Sequence, residues 1–167
     1  MSGINLSPTP ETHYKVECFG PDGLLKWVED MENIVVTAGL NKLLDATFKT
    51  GLTTPTWFIG LKGTGTVVLA DVMSSHAGWS DITSTTASNG TRPAYTPGVI
   101  AAGSVSNSGA VAVFSVNATI TVFGCFLTDS ATVAGTTGTL YGAGDFAASR
   151  SVASGDVLNV TVTTSVS

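Results

Sequence analysis

Asp71 and His76 lie five residues apart in a serine-rich stretch, and a serine, a histidine and an aspartate are the components of a hydrolytic triad. Such a serine often sits in a Gly-x-Ser-x-Gly elbow, which this chain lacks. A serine-rich stretch places hydroxyl groups near any histidine. We therefore predict that the protein is not an enzyme, and we interpret His76 as a hydrogen-bonded loop residue beside Trp79.

The other motifs that could carry chemistry also have structural explanations. Gly63–Thr66 resembles part of a phosphate-binding loop, but no Gly-Lys-Ser/Thr follows it, and β-branched residues stand where a helix should begin. Cys18 and Cys125 lie in strand-like apolar runs without Cys or His partners at metal-ligand spacing. We expect two free thiols, with a disulfide between them as the alternative, and neither a metal nor another cofactor.

Side chains that commonly anchor interfaces are concentrated between Ala70 and Val99, where the periodicity of the sequence disappears. An irregular stretch of about 30 residues is unusual in a compact domain unless it binds a partner or contains short elements. Trp, Tyr and Arg are frequent in binding hot spots. For Trp79 both a core and an interface position are open. Together with two prolines near the N-terminus, the candidate interface residues are Trp79, His76, Arg92, Tyr95, Pro8 and Pro10.

The charge pattern favours a structural or interaction protein. From Gly63 to Ser167 there is no Lys and no Glu, only Arg92, Arg150 and five Asp among many Thr, Ser, Gly, Ala and Val. A sheet surface made of Thr and Ser can lie against another protein without desolvating ions. This composition is typical of extracellular and virion β-proteins.

The net charge of −5, with seven scattered Lys and Arg, argues against a nucleic-acid partner, because duplex binding needs clustered basic residues. The acidity suits a basic partner or simply aids solubility. The first residues lack the basic start and apolar run of a signal peptide, and no segment approaches the roughly 18 apolar residues of a membrane span. We expect synthesis in a cytoplasm, without export and without a membrane partner.

Residues 1–13 contain two prolines and no apolar periodicity, which predicts an extended N-terminal arm. Residues 14–167 are predicted to form a single domain. The strand-like runs His13–Gly20 and Leu24–Val28 flank the turn sequence Pro21-Asp22-Gly23 and predict a β-hairpin.

One short helix is predicted around residues 38–48, with Thr37 as its N-terminal cap. Four apolar residues fall at helical spacing within it, namely Leu40, Leu43, Leu44 and Phe48. The run Ile34–Val36 before the helix predicts a strand. Trp57–Leu61 after it is short and rich in β-forming residues, which predicts a central, buried strand.

From Gly63 onward, short apolar or alternating runs recur between turn residues. This spacing predicts an all-β fold, a β-sandwich of the jelly-roll or immunoglobulin-like type. The further predicted strands are Thr66–Leu69, Val111–Val116, Thr119–Thr128, Thr139–Tyr141 and Val157–Ser165.

The order of several motifs resembles that of small structural proteins of tailed bacteriophages. The motifs are Glu32–Asn41, Trp57–Leu61, Asp71 with His76–Trp79, Gly138–Tyr141 and Gly155–Leu158, and the similarity runs from about Tyr14 to Thr163. The resemblance implies a capsid decoration or cement protein that binds the major capsid protein on the outer capsid surface of the virion. It also implies a homo-oligomer, a trimer or a dimer, and a β-sandwich fold.

Two other functions stay open from the sequence. One is a tail or head–tail connector component, which the same phage resemblance allows. The other is a glycan- or receptor-binding module in which Trp79, Arg92 and Tyr95 form a pocket.

Overall fold

The computed structural model of the chain describes residues 9–49, 55–76, 78–83, 85–86 and 91–166. These residues form eleven strands and one helix. In chain order the elements are β1 (Pro10–Phe19), β2 (Leu25–Glu32), β3 (Ile34–Val35), α1 (Thr37–Phe48), β4 (Phe58–Gly65), β5 (Trp79–Asp81), β6 (Thr85–Thr86), β7 (Ser104–Ser106), β8 (Ala112–Val116), β9 (Ile120–Thr128), β10 (Leu140–Val152) and β11 (Val157–Val166).

The strands form two antiparallel sheets. The first sheet has the order β2-β1-β11-β8-β6, with β7 also pairing with β11, and the second has the order β3-β10-β9-β4-β5. The first and the last long strand of the chain pair along their whole length, from Pro10 opposite Val166 to Phe19 opposite Val157. The all-β prediction is therefore confirmed at the level of two antiparallel sheets and one short helix.

The predicted N-terminal hairpin is confirmed as β1 and β2. Its turn closes through a hydrogen bond from the Gly20 N–H to the Leu24 carbonyl, 2.8 Å, and the Asp22 carboxylate accepts the Leu24 N–H at 3.0 Å. Gly23 has a φ of 77°, a conformation that glycine adopts without steric cost.

The predicted N-terminal arm overlaps the start of strand β1. Residues 10–13 belong to β1, where Thr12 pairs with Thr164 and is 2% exposed. Pro10 opens the strand, a position where a missing backbone N–H is tolerated. The rest of the predicted arm, including Pro8, lies outside the described residues except for Thr9. The prediction of a single domain over residues 14–167 stays a prediction.

Both faces of the second sheet are packed. The main apolar core contains residues of both sheets, such as Val16, Leu158, Leu61 and Val122. A second cluster is built around β9 and β10 of the second sheet and consists of Val36, Val67, Met73, Trp79, Phe126, Leu140 and Ala143. Burial on two faces explains why the sequences of β4 and β9 are nearly continuously apolar or small. The prediction that Trp57–Leu61 contributes a buried interior strand is confirmed by β4.

The predicted helix is confirmed, but its cap is not. The N-cap residue is Val36, and no side chain caps the helix. Instead, the Val36 N–H donates to the Tyr141 carbonyl and the Thr37 N–H to the Leu69 carbonyl, each at 3.1 Å. Tertiary backbone contacts thus satisfy N–H groups that a capping side chain often satisfies.

Helix α1 does not bury its apolar residues as a group. Leu40 packs against the main core, whereas Leu44 is 58% and Phe48 is 81% exposed. The buried residue of the helix is Gly39, where an added Cβ would lie 2.1 Å from the Tyr141 carbonyl oxygen. The backbone of α1 therefore approaches β10 through a glycine, while Leu44 and Phe48 face solvent.

Most later strands occur as predicted, and the differences have local causes. Strands β3, β8, β9 and β11 match their predictions, but Thr66–Leu69 is not a strand, because β4 ends at Gly65 with a φ of 106°. Strand β10 begins as predicted and continues to Val152 through a register shift between Asp145 and Arg150. The short strands β5, β6 and β7 were not predicted.

Candidate interaction surfaces

Three of the candidate interface residues meet on one face of the second sheet, around Phe126 of β9. The rings of Trp79 and Phe126 are 5.0 Å apart between centroids. The guanidinium carbon of Arg92 lies 4.9 Å from the centroid of the same Phe126 ring. His76 stacks on Trp79 with a centroid distance of 4.0 Å and an interplanar angle of 22°. The sequence thus identified residues that do form one cluster.

Trp79 is a core residue. It is 6% exposed, and its indole N–H donates to the Asp71 carboxylate at 2.9 Å. The same carboxylate oxygen accepts the Val68 N–H at 2.9 Å, so that Asp71 connects the backbone at Val68 to the indole ring of Trp79. His76 is half-buried, and its Nδ1 lies 3.1 Å from the Trp79 carbonyl oxygen. These contacts explain how a buried tryptophan can occur in the stretch between Ala70 and Val99, where the sequence has no periodicity.

Arg92 is buried as well. Its guanidinium donates to the Asp81 carboxylate and to the Ser130 carbonyl, both at 2.7 Å, and the residue is 3% exposed. Asp81 also accepts the Ala134 N–H at 2.6 Å. One buried ion pair therefore joins β5, the segment at Arg92 and the loop that follows β9.

Tyr95 lies apart from this cluster, in the main core. It is 7% exposed, and its hydroxyl donates to the Val105 carbonyl at 3.3 Å. Burial raises the pKa of the phenol above its ordinary value. Trp79, Arg92 and Tyr95 are all buried in the chain, and their role as interface residues stays a prediction. Pro10 lies in β1.

The buried ammonium of Lys62 was not predicted from the sequence. The side chain is fully buried, its Nζ lies 2.6 Å from the Asp145 carboxylate, and it also donates to the Gly63 and Gly65 carbonyls. Because the sequence from Gly63 to Ser167 contains so few charges, each Asp in it could have indicated a cationic or N–H partner inside the fold. Asp71, Asp81 and Asp145 all have one.

The outer face of the first sheet is a broad exposed surface. Its side chains from β11 and β8 include Asn159, Thr161, Thr163, Val113 and Ser115, and all are exposed or half-exposed and uncharged. On the same face, the hairpin of β1 and β2 carries charges of both signs, including the pair Lys15–Glu17 at 2.8 Å. We call the β11 and β8 part the hydroxyl face.

Two smaller surfaces are apolar. The first, the α1 surface, consists of Leu44 and Phe48 beside a shallow groove that is lined by Asn41, Leu44, Asp45, Phe48 and Lys49. The second is the tip before β7, where Val99 is 91% and Ile100 is 74% exposed. The turn Ala101–Ser104 holds this tip with two reciprocal backbone hydrogen bonds of 2.9 Å.

Both cysteines are free and buried, as expected from the sequence. Burial raises the pKa of the Cys18 thiol to about 11, and the Asp156 carboxylate adds to the shift. Burial likewise raises the pKa of Cys125. In the part of the chain that the structure describes, no three His, Cys, Asp or Glu side chains are grouped as metal ligands. None of the described helices is long and apolar enough to cross a membrane.

No protein-family model and no curated protein matches this chain.

Proposed function

We propose that the protein is a non-enzymatic structural protein of a tailed bacteriophage, a decoration or cement protein that binds the major capsid protein. In this proposal it is made in the bacterial cytoplasm and lies on the outer capsid surface of the virion. The hydroxyl face carries the proposal, because an uncharged, exposed sheet face is suited to lie against another protein. The phage particle as its location is inferred from the motif order, which resembles that of phage structural proteins.

The energetics of docking favour such a face. The centres of protein interfaces are depleted of charged residues, and burying an ion without a partner is costly. Asn159, Thr161 and Thr163 hold no charge that a partner would have to neutralise. Their hydroxyl and amide groups can exchange water for polar groups of a partner at small net cost.

The size of the face favours many copies acting together. The hydroxyl face consists of β11, with ten residues, and β8, with five. At about 3.3 Å per residue and 4.8 Å between strands, these two strands present roughly 240 Å². A stable interface uses about 800 Å² per partner. A single copy should therefore bind weakly, and a homo-oligomeric trimer or dimer would gain strength by avidity.

The proposal includes a β-sandwich architecture of the jelly-roll or immunoglobulin-like type. Residues from both sheets, such as Val16 of β1 and Leu61 of β4, belong to one apolar cluster, as in two sheets packed face to face. Such rigid sandwiches expose broad sheet faces.

Of the alternatives, a tail or head–tail connector component would use the same hydroxyl face. A glycan-binding pocket loses its support, because Trp79, Arg92 and Tyr95 are 6%, 3% and 7% exposed. Sugar-binding aromatic rings have to be accessible.

The first test is to separate purified particles into heads and tails and to quantify the chain against the major capsid protein by mass spectrometry. Hundreds of copies on heads would support the proposal. Enrichment on tails would replace it with the tail alternative.

A second test places a charge on the hydroxyl face. We expect Val113→Lys, at a position that is 47% exposed, to fold and to reduce binding to particles that lack the protein at least tenfold. The matched control is Val99→Lys, at a position 91% exposed and outside that face, which should bind normally. Normal binding of Val113→Lys would exclude the hydroxyl face as the contact.

A further inference from the structure

We propose that Lys62 and Asp145 form a site of covalent self-modification, at which the lysine amine and the aspartate carboxyl group condense to an isopeptide bond. The bond links strand β4 to strand β10 through their side chains. This goes beyond the proposed function and does not depend on it, because it concerns the chain alone and is tested on the free protein.

The pairing of the second sheet brings the two side chains together. Lys62 of β4 and Asp145 of β10 both pair with Gly124 of β9, from its two sides. Paired residues direct their side chains to the same face of a sheet, and the glycine between them has no side chain to separate them. The two backbones are about 10 Å apart, twice the spacing of neighbouring strands. The lysine side chain spans this gap, and its Nζ lies 2.6 Å from Asp145 Oδ1.

The surroundings of the amine favour its neutral, nucleophilic form. The Lys62 side chain is fully buried. The Trp79 ring lies 6.0 Å from Nζ, and Phe126 of β9 packs on that ring. Burying two charges is costly even when they are paired, and a desolvated lysine is the usual form of a nucleophilic amine. Transfer of one proton from the ammonium to the carboxylate gives a neutral amine beside a neutral carboxylic acid, which are the reactive forms.

Burial also separates this pair from other ion pairs of the described residues. Lys15 and Lys26 pair with carboxylates too, but their side chains are 44% and 42% exposed and keep their hydration. The pairs of Arg92 and Arg150 contain a guanidinium, which stays protonated and is not a nucleophile. Lys62 thus combines a primary amine, full burial and a carboxyl group within bonding reach.

The condensation needs no other reactant. The lone pair of the neutral Nζ attacks Asp145 Cγ and forms the C–N bond. The bond from Cγ to the protonated oxygen then breaks, and this oxygen leaves with the bonding electrons and a second proton from the nitrogen, as water. Asp145 is 37% exposed, so the water has a path to solvent. The amide keeps one N–H for the Gly63 or Gly65 carbonyl that the ammonium contacts.

The product removes both charges from the interior and ties together the two strands that flank β9. A covalent link between distant positions also restricts the unfolded chain, as a disulfide does. Since the reaction occurs once in the life of each chain, a slow rate is sufficient.

Mass spectrometry of the full-length wild type tests the proposal. We expect an intact mass lower than that of the unmodified chain by one water molecule. We also expect trypsin to leave Lys62 uncleaved and to release a branched peptide that joins the segments around Lys62 and Asp145. A wild type with the unmodified mass and normal cleavage at Lys62 would overturn the proposal.

Two variants locate the lost water. Lys62→Arg keeps the positive charge but lacks a nucleophilic amine, so it should retain the water. Loss of water from Lys62→Arg as well would indicate another dehydration, such as a succinimide at Asp22-Gly23, and would reject the site. Asp145→Asn should expel ammonia in place of water and form the same amide, so that its mass equals that of the wild type. Unequal masses of these two proteins would contradict the assignment even if Lys62→Arg failed to fold.

Discussion

The Arg92 guanidinium lies 2.7 Å from the Asp81 carboxylate, and the two side chains are 2% and 7% exposed. This pair joins strand β5 to the segment before Tyr95, and Arg92 also bonds the loop after β9 through the Ser130 carbonyl. In a chain with few charges beyond residue 62, a buried ion pair of this kind positions loops rather than binding a partner.

Removal of one member of the pair should be costly. We expect Asp81→Ala to lower the free energy of unfolding by about 3 kcal/mol, because it leaves the buried Arg92 charge without a counter-ion. The double variant Asp81→Leu/Arg92→Met should lose less than the single variant, since it removes both charges. Urea denaturation of the single and double variants measures both effects. A single variant within 1 kcal/mol of the wild type would show that the pair is not desolvated.

Trp79 should behave as a core residue. We expect Trp79→Ala to cost about 3–5 kcal/mol, the range for large-to-small substitutions in packed interiors. Trp79→Phe keeps most of the ring but removes the N–H donor to Asp71, which should cost about 1–3 kcal/mol. Thermal unfolding followed by near-ultraviolet circular dichroism distinguishes the two. A Trp79→Ala variant that folds like the wild type but no longer binds particles would restore the interface interpretation.

The longer strands of the first sheet were predictable because one face of that sheet meets solvent. In β1 and β11 the buried side chains alternate with half-buried ones, as Tyr14 and Val16 alternate with His13 and Lys15. Period-two alternation is the strongest local signal of a strand. The hairpin turn Pro21-Asp22-Gly23 added a second local signal, so β1, β2 and their pairing followed from the sequence.

The full length of β10 and the orientation of α1 depend on tertiary contacts that leave little local signal in the sequence. Strand β10 contains Gly142, Ala143 and Gly144, which read as a loop although they permit close backbone packing. The apolar residues of α1 have helical spacing whether they face a core or a partner. The Trp79 indole N–H and the Arg92 guanidinium donate to Asp71 and Asp81, respectively. The sequence does not show that these pairs lie close together in space.

At Gly39 we expect a substitution to alanine to change stability in the direction opposite to that given by helix propensity. Alanine is the better helix former by about 1 kcal/mol. We nevertheless expect Gly39→Ala to destabilise the protein, because the added Cβ would lie 2.1 Å from the Tyr141 carbonyl oxygen and push α1 away from β10. Urea denaturation gives the change in stability.

A matched control separates propensity from packing on the same helix. Asn41 is exposed in α1, so Asn41→Ala should be neutral or slightly stabilising. If Gly39→Ala were as stable as Asn41→Ala, the close approach of α1 to β10 would have to be rejected.

The environment of Asp156 leads us to expect that the free energy of unfolding falls at acidic pH. Burial alone would raise the pKa of this carboxylate, but hydrogen bonds from the Lys26 ammonium at 2.7 Å and the Ala153 N–H at 2.9 Å lower it below its ordinary value. A lowered pKa in the folded state stabilises the protein above the unfolded value, about 3.9, and this contribution is lost as the pH falls through the folded value. We expect the free energy of unfolding to fall more steeply below pH of about 4 for the wild type than for Asp156→Asn. Lys26→Met, which removes the charged donor, should flatten the same part of the curve, and parallel curves for all three proteins would contradict the assignment.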